Sequence, residues 1–355
     1  MGHYIIVGFG LAGMALTETL LKEGHSVSVF DDQSQQASRV AGGLYNPVVL
    51  KRFNMAWEGS RLMKTALPFY RELEEKLGID FDEEMPVLRL LASAGEQNDW
   101  FEAAERPGLS EFLSPGIIAN DNPALKAPFG FGAVLHSGRI HTAKLLKGYR
   151  DFLSGTGSLT EAPFEHKELQ VLDKGIEYRG IRAEAVIFCE GFGLRENPFF
   201  NYLPLNGTKG ELLVIHAPMY KESRVVKSGV FTIPLGGDRY LVGATYNHKD
   251  KSPDPTKEAR GILLEKLHKF MQCDFSVEGQ RAGIRPTVPD RRPLVGAHPV
   301  HQHLFVLNGL GSRGVLIAPY AARALYRLIR NEDPLPPEMD CARFSKRYEK
   351  LGRKS

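Results

Sequence analysis

Cysteine is scarce. Only Cys189, Cys273 and Cys341 occur in 355 residues. Three thiols with no CxxC spacing exclude a disulfide framework and a cysteine-based zinc site. A reducing, cytoplasmic setting is the expectation. Neither sign of charge dominates: 45 Lys+Arg against 42 Asp+Glu leave a net +3, too little by itself to argue for a nucleic-acid or membrane partner. No uninterrupted apolar run reaches the ~20 residues that cross a bilayer. The first strand-like run starts at about the third residue, so no signal peptide is expected. His136 and His141 have no carboxylate or cysteine beside them at ligand spacing, and no metal site is predicted. What is present is ordinary for a globular protein: 43% hydrophobic and 25% charged residues, with length for two or three domains.

The chain is organised around Tyr4 to Asp31. Tyr4-Ile5-Ile6-Val7 is a short apolar run, followed at once by Gly8-Phe9-Gly10-Leu11-Ala12-Gly13. Met14 to Lys22 then has helical spacing, with Ala15, Leu16, Thr19 and Leu20 on one face. His25 to Phe30 reads as a second strand, ending on Asp31 and Asp32. Strand, glycine turn, helix, strand and acid together form the context of a dinucleotide fingerprint. Gly8 permits the turn, Gly10 lets a pyrophosphate approach the helix N-terminus, and Gly13 lets the helix pack close to the strand. Asp31 stands where a carboxylate accepts ribose hydroxyls. The motif does not distinguish FAD from NAD.

Farther on, Ala41-Gly42-Gly43-Leu44-Tyr45-Asn46-Pro47 marks a tight turn: either a connecting loop or backbone laid against a flat ligand. Trp57 to Leu77 is an amphipathic helix that Pro68 is expected to kink. Residues 80–135 change character and read as an excursion into a second domain. Thr142 to Leu153 is a helix capped near His141. Leu159–Phe164, Glu168–Leu172, Gly175–Tyr178 and Ala185–Cys189 are strand-like, and the last ends on Glu190-Gly191. Glu211–His216, Val225–Pro234 and Arg239–Thr245 alternate as an antiparallel sheet does, with Gly236-Gly237-Asp238 as a hairpin turn. After a helix over 256–271, a strand from Phe275 leads to Ala282-Gly283-Ile284-Arg285-Pro286. Leu304–Leu307 is followed by a second glycine turn, Gly309-Leu310-Gly311-Ser312-Arg313-Gly314-Val315, and a helix over 316–330.

These motifs, in this order over nearly the whole chain, resemble the D-amino-acid-oxidase-like family of FAD-dependent oxidoreductases. Within it, the resemblance leans toward glycine oxidases and the oxidase domain of the bifunctional enzyme that makes 5-methylaminomethyl-2-thiouridine in tRNA. There is no room for that enzyme's methyltransferase half, so a free-standing relative is expected. The resemblance implies an α/β fold: a Rossmann-like FAD-binding domain with a parallel sheet, discontinuous over 1–80, 136–205 and 278–355. A smaller substrate domain with a mostly antiparallel sheet takes 81–135 and 206–277. It implies FAD held by Gly8, Gly10, Leu11, Ala12, Gly13, Asp31, Asp32 and Arg39 at the nucleotide end. Gly42, Gly43 and Leu44 approach the flavin ring, the Phe164 backbone approaches the adenine, and Gly191 lies at a strand end. Gly311, Ser312, Arg313 and Gly314 aim N–H groups at the flavin, and Val315 beside them also binds the cofactor. Ile284-Arg285-Pro286 fills the region where sarcosine oxidases carry a covalent flavin cysteine, so FAD is expected to be non-covalent.

Family members oxidise the C–N bond of an amino acid or secondary amine by hydride transfer to flavin N5, with oxygen or another acceptor reoxidising the flavin. On this resemblance Arg285 binds the substrate carboxylate, for which a planar permanent cation is suited. The competing reading is a structural ion pair with an acid such as Asp290. Arg313 either helps bind the carboxylate, sits over the flavin, or caps loop carbonyls. Tyr246, His248 and Tyr45 are polar candidates nearby. Three functions follow: an oxidase of a small amino acid or amine, a tRNA-modifying oxidase that removes the carboxymethyl group of a carboxymethylaminomethyl-uridine, or a non-catalytic flavoprotein binding module. The basic tail (Arg343, Lys346, Arg347, Lys350, Arg353, Lys354) is either a tRNA contact or a solvated end.

Overall fold

The computed structural model describes residues 1–352. The His3–Val7 strand is buried on both faces. It lies inside a six-stranded sheet with the order Leu159–Thr160, Ser26–Phe30, His3–Val7, Ala185–Phe188, Leu304–Asn308, Leu294–Ala297. The first five run parallel, and Leu294–Ala297 closes the edge antiparallel. Tyr4 and Ile6 join the apolar layer in which helices Leu11–Lys22, Gly59–Leu77 and Gly314–Ile329 pack together. Ile5 and Val7 join a separate cluster with Ile176, Tyr178, Phe188 and Phe200. A strand covered on both faces needs no polar alternation, hence the continuous apolar run in the sequence.

The second sheet has eight strands in the order Ser276–Arg285, Thr208–His216, Arg239–Gly243, Phe231–Gly236, Val225–Lys227, Val87–Leu90, Phe131–Val134, Leu113–Ile118. Every neighbouring pair is antiparallel except Val225–Lys227 beside Val87–Leu90. Leu263 and Leu267 of the helix Lys257–His268 cover one face, against Leu213, Ile215 and Val242. Trp100 of the helix Ala94–Glu105 covers the other. It sits on Gly132, where a Cβ would meet the indole at 2.3 Å. The fold is therefore α/β, with a parallel-rich sheet and an antiparallel sheet, as the motif order implied.

Local departures have local causes. The turn at Gly236-Gly237-Asp238 forms as expected, all three residues having positive φ. The run Val225–Pro234 is broken, because Ser228 N bonds Val230 O and folds it into two strands. The Leu159–Phe164 run stays extended only to Thr160, and Phe164 instead stacks on Tyr178 at 4.0 Å. Pro68 lies inside the helix Gly59–Leu77 without ending it. His141 pairs with Glu83 at 3.0 Å, and among the described residues no cluster of His, Cys, Asp and Glu is able to hold a metal. No helix among them is long and apolar enough to cross a membrane. In the basic tail, Arg343 pairs with Asp290 at 3.0 Å and Arg347 donates to Tyr202 O at 3.0 Å; Arg353 and Lys354 lie outside the described residues.

Candidate active site

The C-terminal ends of the parallel strands face the first strands of the antiparallel sheet across a cavity of about 450 Å³. This is where open α/β sheets place ligands. Gly8, at φ +92, donates its N–H to Phe30 O at 2.8 Å. A Cβ on Gly13 would come within 2.0 Å of Gly8 O, so the helix Leu11–Lys22 rests directly on the turn that precedes it. Its N-cap is Gly10, which has no side chain to cover the first N–H groups. Ser38 Oγ reaches one of them, accepting from Leu11 N at 3.1 Å. Ala12 lines the cavity alongside.

Asp31 lines the cavity at the end of its strand, with both carboxylate oxygens engaged. Oδ1 accepts from Phe9 N at 3.0 Å. Oδ2 is paired with Arg150, which also holds Glu161 at 2.6 Å. Arg39 stands 3.8 Å from Asp31 and donates to Gln33 Oε1 at 2.8 Å. Asp32 is exposed and accepts from Ser34 N at 2.9 Å. Ser38 and Arg150 were absent from the sequence reading. Neither lies in a motif, and Arg150 meets Asp31 across 119 residues of chain.

The pair Gly42-Gly43 forms a tight turn on the cavity wall. Gly43, at φ +75, is forced by packing, since a Cβ would lie 1.9 Å from Ile140 O. Gly42 and Leu44 line the cavity, with Phe231 and Ile233 close against Gly42. Phe164 and Gly191 line the opposite end.

In the last glycine turn not every N–H is available. Gly311 N bonds Pro286 O at 3.0 Å and Arg313 N bonds Leu310 O at 3.3 Å. That corrects the expectation that all of residues 311–314 aim N–H groups at a ligand. Among the described residues, the N–H groups of Ser312, Gly314 and Val315 have no acceptor, and all three residues line the cavity at the start of the helix Gly314–Ile329.

Arg285 ends the strand Ser276–Arg285 and lines the cavity. Its guanidinium lies over the Tyr246 ring at 4.5 Å, and a Cβ on Gly210 would collide with it at 2.1 Å. Gly210 is a third component the sequence reading missed; its role follows from strand pairing, in which Gly210 faces Gly283. Nη1 donates to Thr245 O at 3.1 Å. Among the described residues no carboxylate lies within 4 Å, and Asp290 is engaged by Arg343 instead. Burial pushes the Arg285 pKa down and Tyr246 opposes the shift. Arg313 is shifted the same way by burial, but it donates to Asn46 O at 2.9 Å and Val48 O at 3.4 Å and does not line the cavity. Its geometry is that of the loop-capping arginine. Tyr45 is corrected as a site candidate: it is buried, its hydroxyl donates to Asp82 at 2.8 Å, and it stands outside the cavity lining. His248 contacts Thr208 Oγ1 at 3.1 Å and also lies outside the lining.

A glycine-turn helix N-terminus and a half-buried arginine with no carboxylate within 4 Å among the described residues share one cavity, at the strand ends where open α/β sheets bind dinucleotides. The sequence matches the model of the DAO family, described as FAD dependent oxidoreductase, over residues 3–328, and the chain belongs to that family. It is 25% identical to the glycine oxidase of Geobacillus kaustophilus (strain HTA426) over 96% of this chain and 95% of that protein. It is 26% identical to the tRNA 5-methylaminomethyl-2-thiouridine biosynthesis bifunctional protein MnmC of Thiobacillus denitrificans, over 96% of this chain but 58% of that protein. The crystal structure of the G. kaustophilus glycine oxidase has a TM-score of 0.76 at 22% identity, covering 97% of this chain and 98% of its own. Iminodiacetate oxidase from Chelativorans sp. BNC1 gives 0.78 at 18% identity, covering 94% and 97%. These structures share the fold. The residues present fit FAD: among the described residues the Gly10 cap leaves the Ala12 and Gly13 N–H groups without an acceptor, and three further N–H groups without acceptors belong to residues that line the same cavity.

Proposed function

We propose that this protein oxidises the C–N bond of a small amino acid or secondary amine that carries a carboxylate, using non-covalently bound FAD. The observation that carries the reading is Arg285: a half-buried guanidinium with one backbone acceptor, lining the cavity, with no protein carboxylate within 4 Å among the described residues. A half-buried cation that lines a cavity without a counter-charge offers an incoming carboxylate two parallel N–H···O bonds. Bound FAD would supply the two-electron acceptor for the C–H bond next to nitrogen, with oxygen or another acceptor taking the electrons onward.

The chain's own groups do the rest. Gly8 to Gly13, Asp31, Arg39 and Phe164 hold the nucleotide end. Gly42 to Leu44 and the N–H groups of Ser312, Gly314 and Val315 hold the ring end, where the helix dipole favours negative charge. Arg285 fixes the substrate by its carboxylate, which orients the neighbouring carbon. Tyr246 lies against the guanidinium on the solvent side. No side chain has to remove a proton if the amine binds neutral.

The test is the visible spectrum of the FAD-loaded protein, followed without oxygen as glycine, sarcosine, D-alanine and proline are added. Bleaching by one of them is the expected result. A flavin that stays oxidised with all of them contradicts the small-substrate reading. The likeness to MnmC supports a second reading, in which the amine is the carboxymethylaminomethyl group of a tRNA uridine held by the same Arg285. Arg343 and Arg347 are engaged within the protein, so the tail offers less free charge to tRNA than its composition suggests. Bleaching by such a tRNA alone, lost at high salt, distinguishes this reading.

A further inference from the structure

Residues 246–256 join the strand Arg239–Gly243 to the helix Lys257–His268, and none of them is buried. No apolar core places this segment, yet it carries Tyr246, the ring against Arg285. What fixes it is polar and comes from the neighbouring strand, Thr208–His216. Lys209 is fully buried, and its Nζ donates to Asp250 Oδ2 at 2.6 Å, to Ser252 Oγ at 2.9 Å and to Asp254 O. Its backbone exchanges two hydrogen bonds of 2.9 Å with Asn247. The flanking residues act on the same region. Thr208 Oγ1 holds His248, and Glu211 accepts from Thr256 N at 2.8 Å and Gln280 Nε2 at 2.7 Å. Between them Gly210 makes the space that Arg285 fills. One short strand thus forms the wall beneath the guanidinium and the mooring of the segment that covers it.

A lysine with no solvent exposure is expensive unless its donors are matched, and here three acceptors from one exposed segment converge on it. We infer that Lys209 is a positioning residue for substrate binding: it moors residues 246–256 so that Tyr246 covers Arg285. The inference rests on the reading of Arg285 as the carboxylate site. Without the mooring, the segment detaches locally, water reaches Arg285, and carboxylate affinity falls while the FAD site is untouched.

The test uses FAD-loaded full-length protein and glycolate, a carboxylate with no amine, titrated through the flavin absorbance. Lys209→Met should bind glycolate about tenfold more weakly, with unchanged flavin content, because positioning is lost and not the charge itself. Trypsin should cut after Lys249 or Lys251 about tenfold faster, since the local opening becomes cheaper. Asp250→Asn with Ser252→Ala leaves the lysine in place and should shift both readouts the same way, which covers the case in which Lys209→Met does not fold. Wild-type cleavage and wild-type affinity in these variants overturn the inference. Faster cleavage with unchanged affinity, while Arg285→Ala abolishes binding, overturns the link to Arg285 alone. Glycolate binding that survives Arg285→Ala overturns the carboxylate reading itself.

Discussion

At the end of the cavity formed by the first glycine turn the charged side chain and the first helix N–H already have protein partners. Asp31 holds Phe9 N and Arg150, and Leu11 N holds Ser38 Oγ. At the other end they do not: Arg285 faces the cavity with one acceptor, and Ser312, Gly314 and Val315 present N–H groups to it. The two ends differ in what a ligand changes. The first is held in shape by its own contacts, so a cofactor adds to a formed site. The second contains mostly exposed and half-buried donors on the cavity wall, which a ligand can satisfy. The contrast between Arg285 and Arg313 makes the same point within one residue type. Both are half-buried and shifted in the same direction, yet backbone acceptors at Asn46 and Val48 tie Arg313 to the loop, while Arg285 has one backbone acceptor and lines the cavity.

The largest expected effect falls on the unmatched end. Arg285→Ala should lower the second-order rate of flavin reduction by about 10²–10³, the roughly 3–4 kcal/mol of a lost charge-assisted pair, with FAD still bound. Stopped-flow reduction measures it, and an unchanged rate breaks the contrast. Gly13→Ala should act at the matched end by strain: its methyl meets Gly8 O, so about 1–3 kcal/mol of stability and much of the FAD occupancy should go, read as Tm and bound-flavin absorbance. Arg150→Met should weaken FAD binding about tenfold by loosening Asp31, with little effect on reduction of the loaded protein. If it slowed reduction instead, the two ends would not be separate. Tyr45→Phe removes one buried hydrogen bond to Asp82 and should lower stability by about 1 kcal/mol, leaving glycolate affinity unchanged.

What was legible in the sequence was local. The Gly8–Gly13 turn, the two adjoining strands and Asp31 lie within about thirty residues, and each glycine's reason is backbone geometry. The Gly236-Gly237-Asp238 hairpin is of the same kind. Arg285 was legible through its motif. Its surroundings were not, because Gly210, Tyr246 and Arg285 meet only through the register of three strands. Arg150 and Ser38 reach the nucleotide end from outside any motif. The last glycine turn was half legible: its place before the helix was clear, but which N–H groups remain available depends on Pro286, which folds back on Gly311.

The most direct measurement compares glycine with glycinamide as reductants of the FAD-loaded protein, in the wild type and in Arg285→Ala. The account predicts a preference of about a hundredfold for the free carboxylate in the wild type and none in the variant, the gap being the Arg285–carboxylate interaction. A preference that persists at full size in Arg285→Ala would contradict it, and would place the carboxylate on another group.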